Sequence, residues 1–230
     1  LPYYVANLNI EFTYKQKMGL YREFQNLCFV DTLDNTYALG YQNESNDMFG
    51  LTFENSQRIK RQNEMKISVI IGNPPYNANQ LNENENNKNR EYPEIDRKIK
   101  TTYIKQSNAQ KTKLYDMYAR FLRWATDRID ENGIVAFISN NSFIDSRTFD
   151  GFRNVVAKEF NEIWIIDLKG NARTSGERRR KEGGNIFSDS IRVGVAIYFL
   201  VKKQGMKGCR IYFQAVDDYL KSEEKKTYLR

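Results

Sequence analysis

The sequence predicts an α/β domain built on a mostly parallel sheet with helices on both faces. Two observations carry that expectation. Short apolar runs alternate with stretches of helical periodicity, which is the order of strand–helix–strand units. The runs are also apolar without interruption, as in strands buried from both sides, whereas half-exposed strands alternate. Five core strands are expected, at 27–31, 67–71, 134–138, 163–167 and 191–201.

Taken in order, Tyr4, Val5, Leu8 and Phe12 recur at near-helical spacing and predict an amphipathic helix over 3–15. Leu27, Cys28, Phe29 and Val30 form the first strand, closed by Asp31. Residues 34–58 are polar and mixed, a loop or weak hairpin, and 58–66 a short helix leading into the strand at 67–71. Residues 82–90 are rich in Asn and Glu without apolar periodicity and are expected to be mobile. Ile95, Ile99 and Tyr103 suggest a helix over 94–108. Leu114, Met117, Tyr118, Phe121, Leu122, Ala125 and Ile129 give the clearest helical pattern in the chain. Asn132-Gly133 signals a turn before the strand at 134–138, which ends in Ser139-Asn140-Asn141. Phe149, Phe152, Val155, Val156 and Phe160 mark another helix, and a strand follows that ends at Asp167. Residues 169–190 are Gly- and Arg-rich without periodicity. The last long strand is 191–201, and 211–220 begins an element whose core is not supplied.

Composition narrows the function. The 230 residues are 40% apolar and 28% charged, suited to one globular domain with an appendage. There is no histidine, which excludes Ser-His-Asp and Cys-His triads and the common histidine metal sites within the chain. Two cysteines, Cys28 and Cys209, make neither a disulfide framework nor a zinc site, so no metal is expected. No apolar run is long enough to span a bilayer and no signal segment opens the chain, so a cytoplasmic protein without membrane contact is expected. The net charge of +7 is compatible with a polyanionic partner.

One stretch stands out chemically, Val69-Ile70-Ile71-Gly72-Asn73-Pro74-Pro75-Tyr76. An apolar strand ends at Gly72, and two consecutive prolines then fix φ twice and remove two N–H donors. Asn73, preceding Pro74, is driven to extended backbone. The product is a stiff lip at a strand's carboxyl end, where open α/β sheets bind ligands, presenting an amide and a phenol ring at fixed spacing.

This lip resembles motif IV of amino-methyltransferases that use S-adenosylmethionine, in its Asn-Pro-Pro-Tyr form. The order around it resembles adenine-N6 DNA methyltransferases of the gamma arrangement. An acidic residue, Asp31, ends an earlier strand; the lip follows; a Leu-Tyr-Asp helix start comes at Leu114. A Gly-led strand from Gly133, a strand at 163–167 and Asn185-Ile186-Phe187 before the last strand complete the order. The resemblance covers residues 1–205 and is strongest to the methyltransferase portion of bacterial restriction-modification polypeptides that also carry helicase and nuclease regions. It implies a Rossmann-like methyltransferase fold. One element is missing: no Phe-x-Gly-x-Gly cofactor loop precedes Asp31. The chain thus reads as the C-terminal part of a catalytic domain with an incomplete S-adenosylmethionine site, inactive by itself, and 206–230 as the start of a connector to a target-recognition or following domain.

By the same resemblance, Asn73 and the carbonyl of Pro74 would accept the two hydrogens of an adenine amine, with Pro75 stiffening the lip. Tyr76 and Phe187 would stack on the extruded base. Asp31 would contact the cofactor's adenine, and Leu114 and Tyr118 are cofactor-lining candidates, although helix packing is their simpler reading. Asp31 alone would be a turn or cap acid, and Phe187 alone a core aromatic. Residues 169–192 carry seven basic against three acidic side chains. A solvated charge run is the default reading; the position before Phe187 favours DNA-phosphate contacts by Arg173, Arg178, Arg179, Arg180 and Lys181. The expected partner is DNA, together with helicase or nuclease regions or a specificity domain of the same polypeptide. Two other readings are a protein-glutamine N-methyltransferase, which shares the lip, and a catalytically silent DNA-binding or assembly fragment.

Overall fold

The computed structural model describes residues 2–33, 53–76, 92–108, 114–188 and 190–230. The 34–52 part of the expected loop or hairpin and the Asn/Glu-rich stretch at 82–90 lie outside these residues. The chain divides into two compact units, 1–65 and 66–230.

The first unit holds helices α1 (Pro2–Met18) and α2 (Phe53–Glu64). α1 forms where periodicity placed it, but Tyr4, Leu8 and Phe12 all face solvent. Glu11 is the buried residue of this helix and accepts from the Tyr21 hydroxyl (2.8 Å) and the Phe24 amide (3.0 Å). The strand expected at 27–31 does not form. The Asn55 side chain takes both backbone groups of Phe29: its Oδ1 accepts from the amide at 2.8 Å and its Nδ2 donates to the carbonyl at 3.0 Å. A segment whose central donor and acceptor are satisfied this way has no need of a neighbouring strand.

The second unit is a five-stranded sheet. Its strands are β1 (Ile67–Gly72), β2 (Ile129–Asn140), β3 (Glu162–Asp167), β4 (Val195–Lys202) and β5 (Arg210–Ala215), in the order β1-β2-β4-β3-β5. Four strands run one way; β4 runs against both its neighbours. One expectation changes here. β2 starts earlier, at Ile129, and its register against β1 slips between Ile67 and Val69, so Asn132-Gly133 bulge within the strand rather than turn before it. Within 206–230, the stretch expected to begin a connector, β5 extends the sheet alongside β3 and belongs to the same compact unit.

Helices α3 (Pro93–Ile99, prolonged by a π-helical turn at Lys100–Ile104), α4 (Met117–Arg128) and α5 (Asp150–Glu159) accompany the sheet. α4 and α5 bring Leu122, Phe152 and Val156 to Ile163, Tyr198 and Leu200, around an apolar cavity of about 210 Å³. Phe143 meets the Tyr198 ring edge-on at 4.9 Å. The opposite face differs from expectation. The paired residues Val69 and Ile134, Phe199 and Trp164, and Trp164 and Tyr212 share that face. All are exposed there, with Val69 at 56% and its neighbour Ile71 at 80%. Among the described residues, α4 and α5 close over the first face, while these side chains of the second stand exposed. Two further helices, α6 (Gly176–Glu182) and α7 (Ser222–Tyr228), lie in the segments after β3 and β5.

Candidate functional site

The lip leaves β1 at Gly72. Pro74 is buried, Tyr76 half-buried, and Asn73 and Pro75 are exposed. β2 fixes its far end. Asn140, itself buried, donates from Nδ2 to the Tyr76 carbonyl at 3.3 Å, while its Oδ1 accepts from the amide (2.9 Å) and hydroxyl (2.7 Å) of Ser142. The next residue ties down the neighbouring strands. Asn141 Nδ2 donates to Asp167 Oδ1 at 2.9 Å and its amide donates to the Gly194 carbonyl at 3.0 Å. A Cβ on Gly194 would stand 2.5 Å from that Asn141 side chain, so a larger residue there would push the amide out of its place against Asp167. Asp167 also accepts from the Lys169 amide (3.0 Å), as a structural strand-end acid does.

The Tyr76 ring packs on a buried cluster of Leu168, Ile186, Val195 and Val216, with Ile138, Ile166 and Ile197 at its margin. Its hydroxyl is buried and has no hydrogen-bond partner among the described residues. Desolvation pushes the phenol up to about 12, so the ring is neutral at physiological pH. Facing it is Phe187, 47% exposed, at 6.3 Å between ring centroids with a 34° tilt. Buried Asn185 shapes that loop, accepting from the Phe187 amide (3.1 Å) and donating to the Val193 carbonyl (3.0 Å). The structure thus brings together residues 111 apart in sequence: an exposed amide, a rigid proline pair and two aromatic faces at one end of the sheet.

The remaining candidates have the following local settings. Asp31 closes an Asx turn, accepting from the Leu33 amide at 3.1 Å; the premise that it ends a strand is corrected, because no strand precedes it. Leu114 is buried, and Tyr118 is buried and stacks on Phe149 at 5.5 Å and 19°, the helix-packing alternative of their sequence reading. The basic stretch is not all loop, since 176–182 is helical. Arg178 pairs with Asp145 (3.4 Å) and Lys181 with Asp218 (3.4 Å), and Arg180 pairs with Glu177. Arg179 donates to the Gly183 carbonyl at 2.7 Å, and Arg173 is exposed. Among the described residues no helix is long and apolar enough to cross a membrane, and no group of three acids or cysteines is placed to hold a metal ion. Sequence reasoning missed Asn140 and Asn141 as functional supports; two amides directly after an apolar strand at the lip's neighbour were the available signal.

A family model described as Eco57I restriction-modification methylase matches residues 5–173. Three solved structures cover 99% of this chain. The cryo-electron-microscopy structure of a DrdV–DNA complex is 63% identical with a TM-score of 0.89, over 22% of that chain. A nuclease-deletion mutant of the Type ISP restriction-modification enzyme LlaGI, in complex with a DNA substrate mimic, is 40% identical with a TM-score of 0.91, over 18% of that chain. The ATP-dependent Type ISP restriction-modification enzyme LlaBIII, bound to DNA, is 37% identical with a TM-score of 0.90, over 15% of that chain. The chain thus spans 15–22% of their lengths. No curated protein gives a significant match.

Proposed function

Since the chain belongs to the Eco57I restriction-modification methylase family, we propose that it forms the acceptor-holding part of a methyltransferase acting on N6 of an adenine extruded from DNA. The observation that carries this reading is the Tyr76–Phe187 pair beside the Asn73 amide. A base between two rings needs two van der Waals separations, about 7 Å in all. The rings stand 6.3 Å apart, so a small opening and loss of tilt admit one.

An exocyclic amine is a poor nucleophile because its lone pair is delocalised into the purine. The side-chain oxygen of Asn73 and the carbonyl of Pro74 accept its two hydrogens and draw the nitrogen toward tetrahedral geometry, freeing the lone pair. Pro74 serves through its carbonyl alone, which suits a residue without an N–H. This is catalysis by positioning, stronger in the transition state than in the ground state. Stacking on Tyr76 and Phe187 offsets part of the cost of extruding the base. Uncharged at neutral pH, Tyr76 offers a ring and no phenolate.

S-adenosylmethionine, the implied cofactor, supplies an electrophilic methyl group when bound. The residues here fit the acceptor side. No Phe-x-Gly-x-Gly sequence occurs among the 230 residues, so groups to cradle the methionine and ribose are not in this span, and we expect residues 1–230 alone to show no turnover. Arg173 and the exposed basic side chains of α6 would meet DNA phosphates, and helicase and nuclease regions would belong to the same polypeptide. The protein-glutamine alternative has no support in neighbours that are DNA complexes.

The test is Asn73→Ala in the full-length enzyme. Methyl transfer to N6 of adenine should fall on the order of a thousandfold, the scale for removing one preorganised polar group, with DNA binding retained. Near-parental N6-methyladenine in DNA from such a variant would remove the assignment.

A further inference from the structure

The sequence of α7, Ser-Glu-Glu-Lys-Lys-Thr-Tyr, reads as a solvated charge run, yet its Lys225 is 0% exposed. Its Nζ donates to the carbonyl oxygens of Glu182 (2.8 Å) and Gly184 (2.7 Å), on either side of Gly183. Gly183 has a positive φ of 65°, and a Cβ there would stand 2.1 Å from the Leu220 carbonyl oxygen. The same segment makes two more bonds to this turn: the Gly184 amide donates to the Leu220 carbonyl (3.1 Å), and the Ser222 hydroxyl donates to the Ile186 carbonyl (2.9 Å). The carbonyls of 182, 184 and 186 are thus all held by residues 222–225, and Phe187 comes next.

An ammonium buried without a carboxylate in ion-pair contact among the described residues is a costly way to fill space, and a methionine would fill it without desolvating a charge. What the ammonium adds is several donors on one atom, able to pin two backbone carbonyls together. Burial lowers its pKa to about 8, consistent with a charge held there by neutral partners.

We propose that Lys225 is a positioning residue for the methyl acceptor: by clamping the turn at 182–186 it sets the Phe187 ring at the separation from Tyr76 that admits an extruded base. The inference rests on the base-stacking reading above.

The test uses the full-length enzyme with an unmethylated duplex carrying its own methylation site. Lys225→Met should lower the single-turnover transfer rate at saturating DNA about tenfold, within the range that base–aromatic stacking supports. The Kd for DNA should be unchanged, and amide hydrogen exchange should quicken at 183–188 but not in β2 or β4. Lys225→Ala should recover part of the rate when propylamine is added to refill the site. Phe187→Ala separates the two ideas. If Phe187→Ala is impaired while Lys225→Met transfers at the parental rate, the positioning role is overturned and stacking stands. If both transfer at the parental rate, stacking falls and this inference falls with it. Should Lys225→Met not fold, Ser222→Ala removes one bond of the same clamp and should give a smaller loss in the same direction; a parental rate there overturns the proposal.

Discussion

One face of the sheet is paved by Ile70, Val135, Phe137, Tyr198 and Leu200, all buried. The other turns Val69, Ile71, Ile134, Phe199 and Trp164 to solvent. The strands are the same and the side chains are of similar character, so composition does not explain the difference; what lies against each face does. Leu122, Phe152 and Val156 of α4 and α5 close over the first face. Over the second, among the described residues, the rim row of Ile138, Ile166 and Ile197 is capped by Leu168, Ile186, Val195 and Val216. That cap also supports Tyr76. The covered face is thus the scaffold, and the rim of the open face is the foundation of the site.

Four changes break or sharpen this contrast. The largest effect is expected from Phe137→Ala on the covered face, about 4 kcal/mol of stability, read as lost hydrogen-exchange protection across β2 and β4. Leu168→Ala, in the rim cap, should cost about 3 kcal/mol. It should also lower methyl transfer, because Tyr76 loses a supporting side chain; loss of stability without loss of transfer would separate the cap from the site. A smaller, pH-dependent effect belongs to Lys225, whose pKa falls from 10.5 to about 8. Desolvation lowers it first; Glu182 and Asp167 oppose the shift while Lys169 and Arg179 add to it. Below pH 8 folded and unfolded chains both bind this proton; between about 8 and 10.5 only the unfolded chain does, so this group stabilises the fold as pH rises through that window. The urea midpoint of the parent should therefore gain on that of Lys225→Met between pH 8 and 10. The smallest effect is Ile71→Thr on the open face, within about 0.5 kcal/mol. A penalty of several kcal/mol there would mean that this face is covered in the full polypeptide.

The parts of the fold legible in the sequence were those whose apolar pattern is a local consequence of burial. Helices α4 and α5 and strands β1, β3 and β4 stand within a few residues of their expected places. The stiff lip was legible because proline chemistry is local, and the proximity of Tyr76 and Phe187 followed from the order of elements that the chain shares with the family it resembles. The failures have physical causes. Residues 27–31 have a strand's composition, but the Asn55 amide satisfies the backbone of Phe29 from 26 residues away. α6 buries none of its residues and so leaves no periodicity to read. β5 has an apolar run, Ile211-Tyr212-Phe213, but is exposed along nearly its whole length, so nothing local distinguished a sheet-edge strand from the start of a further element. Lys225 sits among charges in a run that looks solvated, and only the tertiary fold shows that one lysine of the run points inward.

The bond from Asn140 to the lip goes to the Tyr76 main-chain carbonyl, and the anchor inside the lip is buried Pro74. Neither hold involves the side chain of Asn73. The amide to which we assign the acceptor role can therefore be erased while its mount stays in place. Such a protein would be a useful reagent: a chemically blank clamp that still takes up its base and does not let it go modified, suited to catching the enzyme on DNA in the moment before transfer.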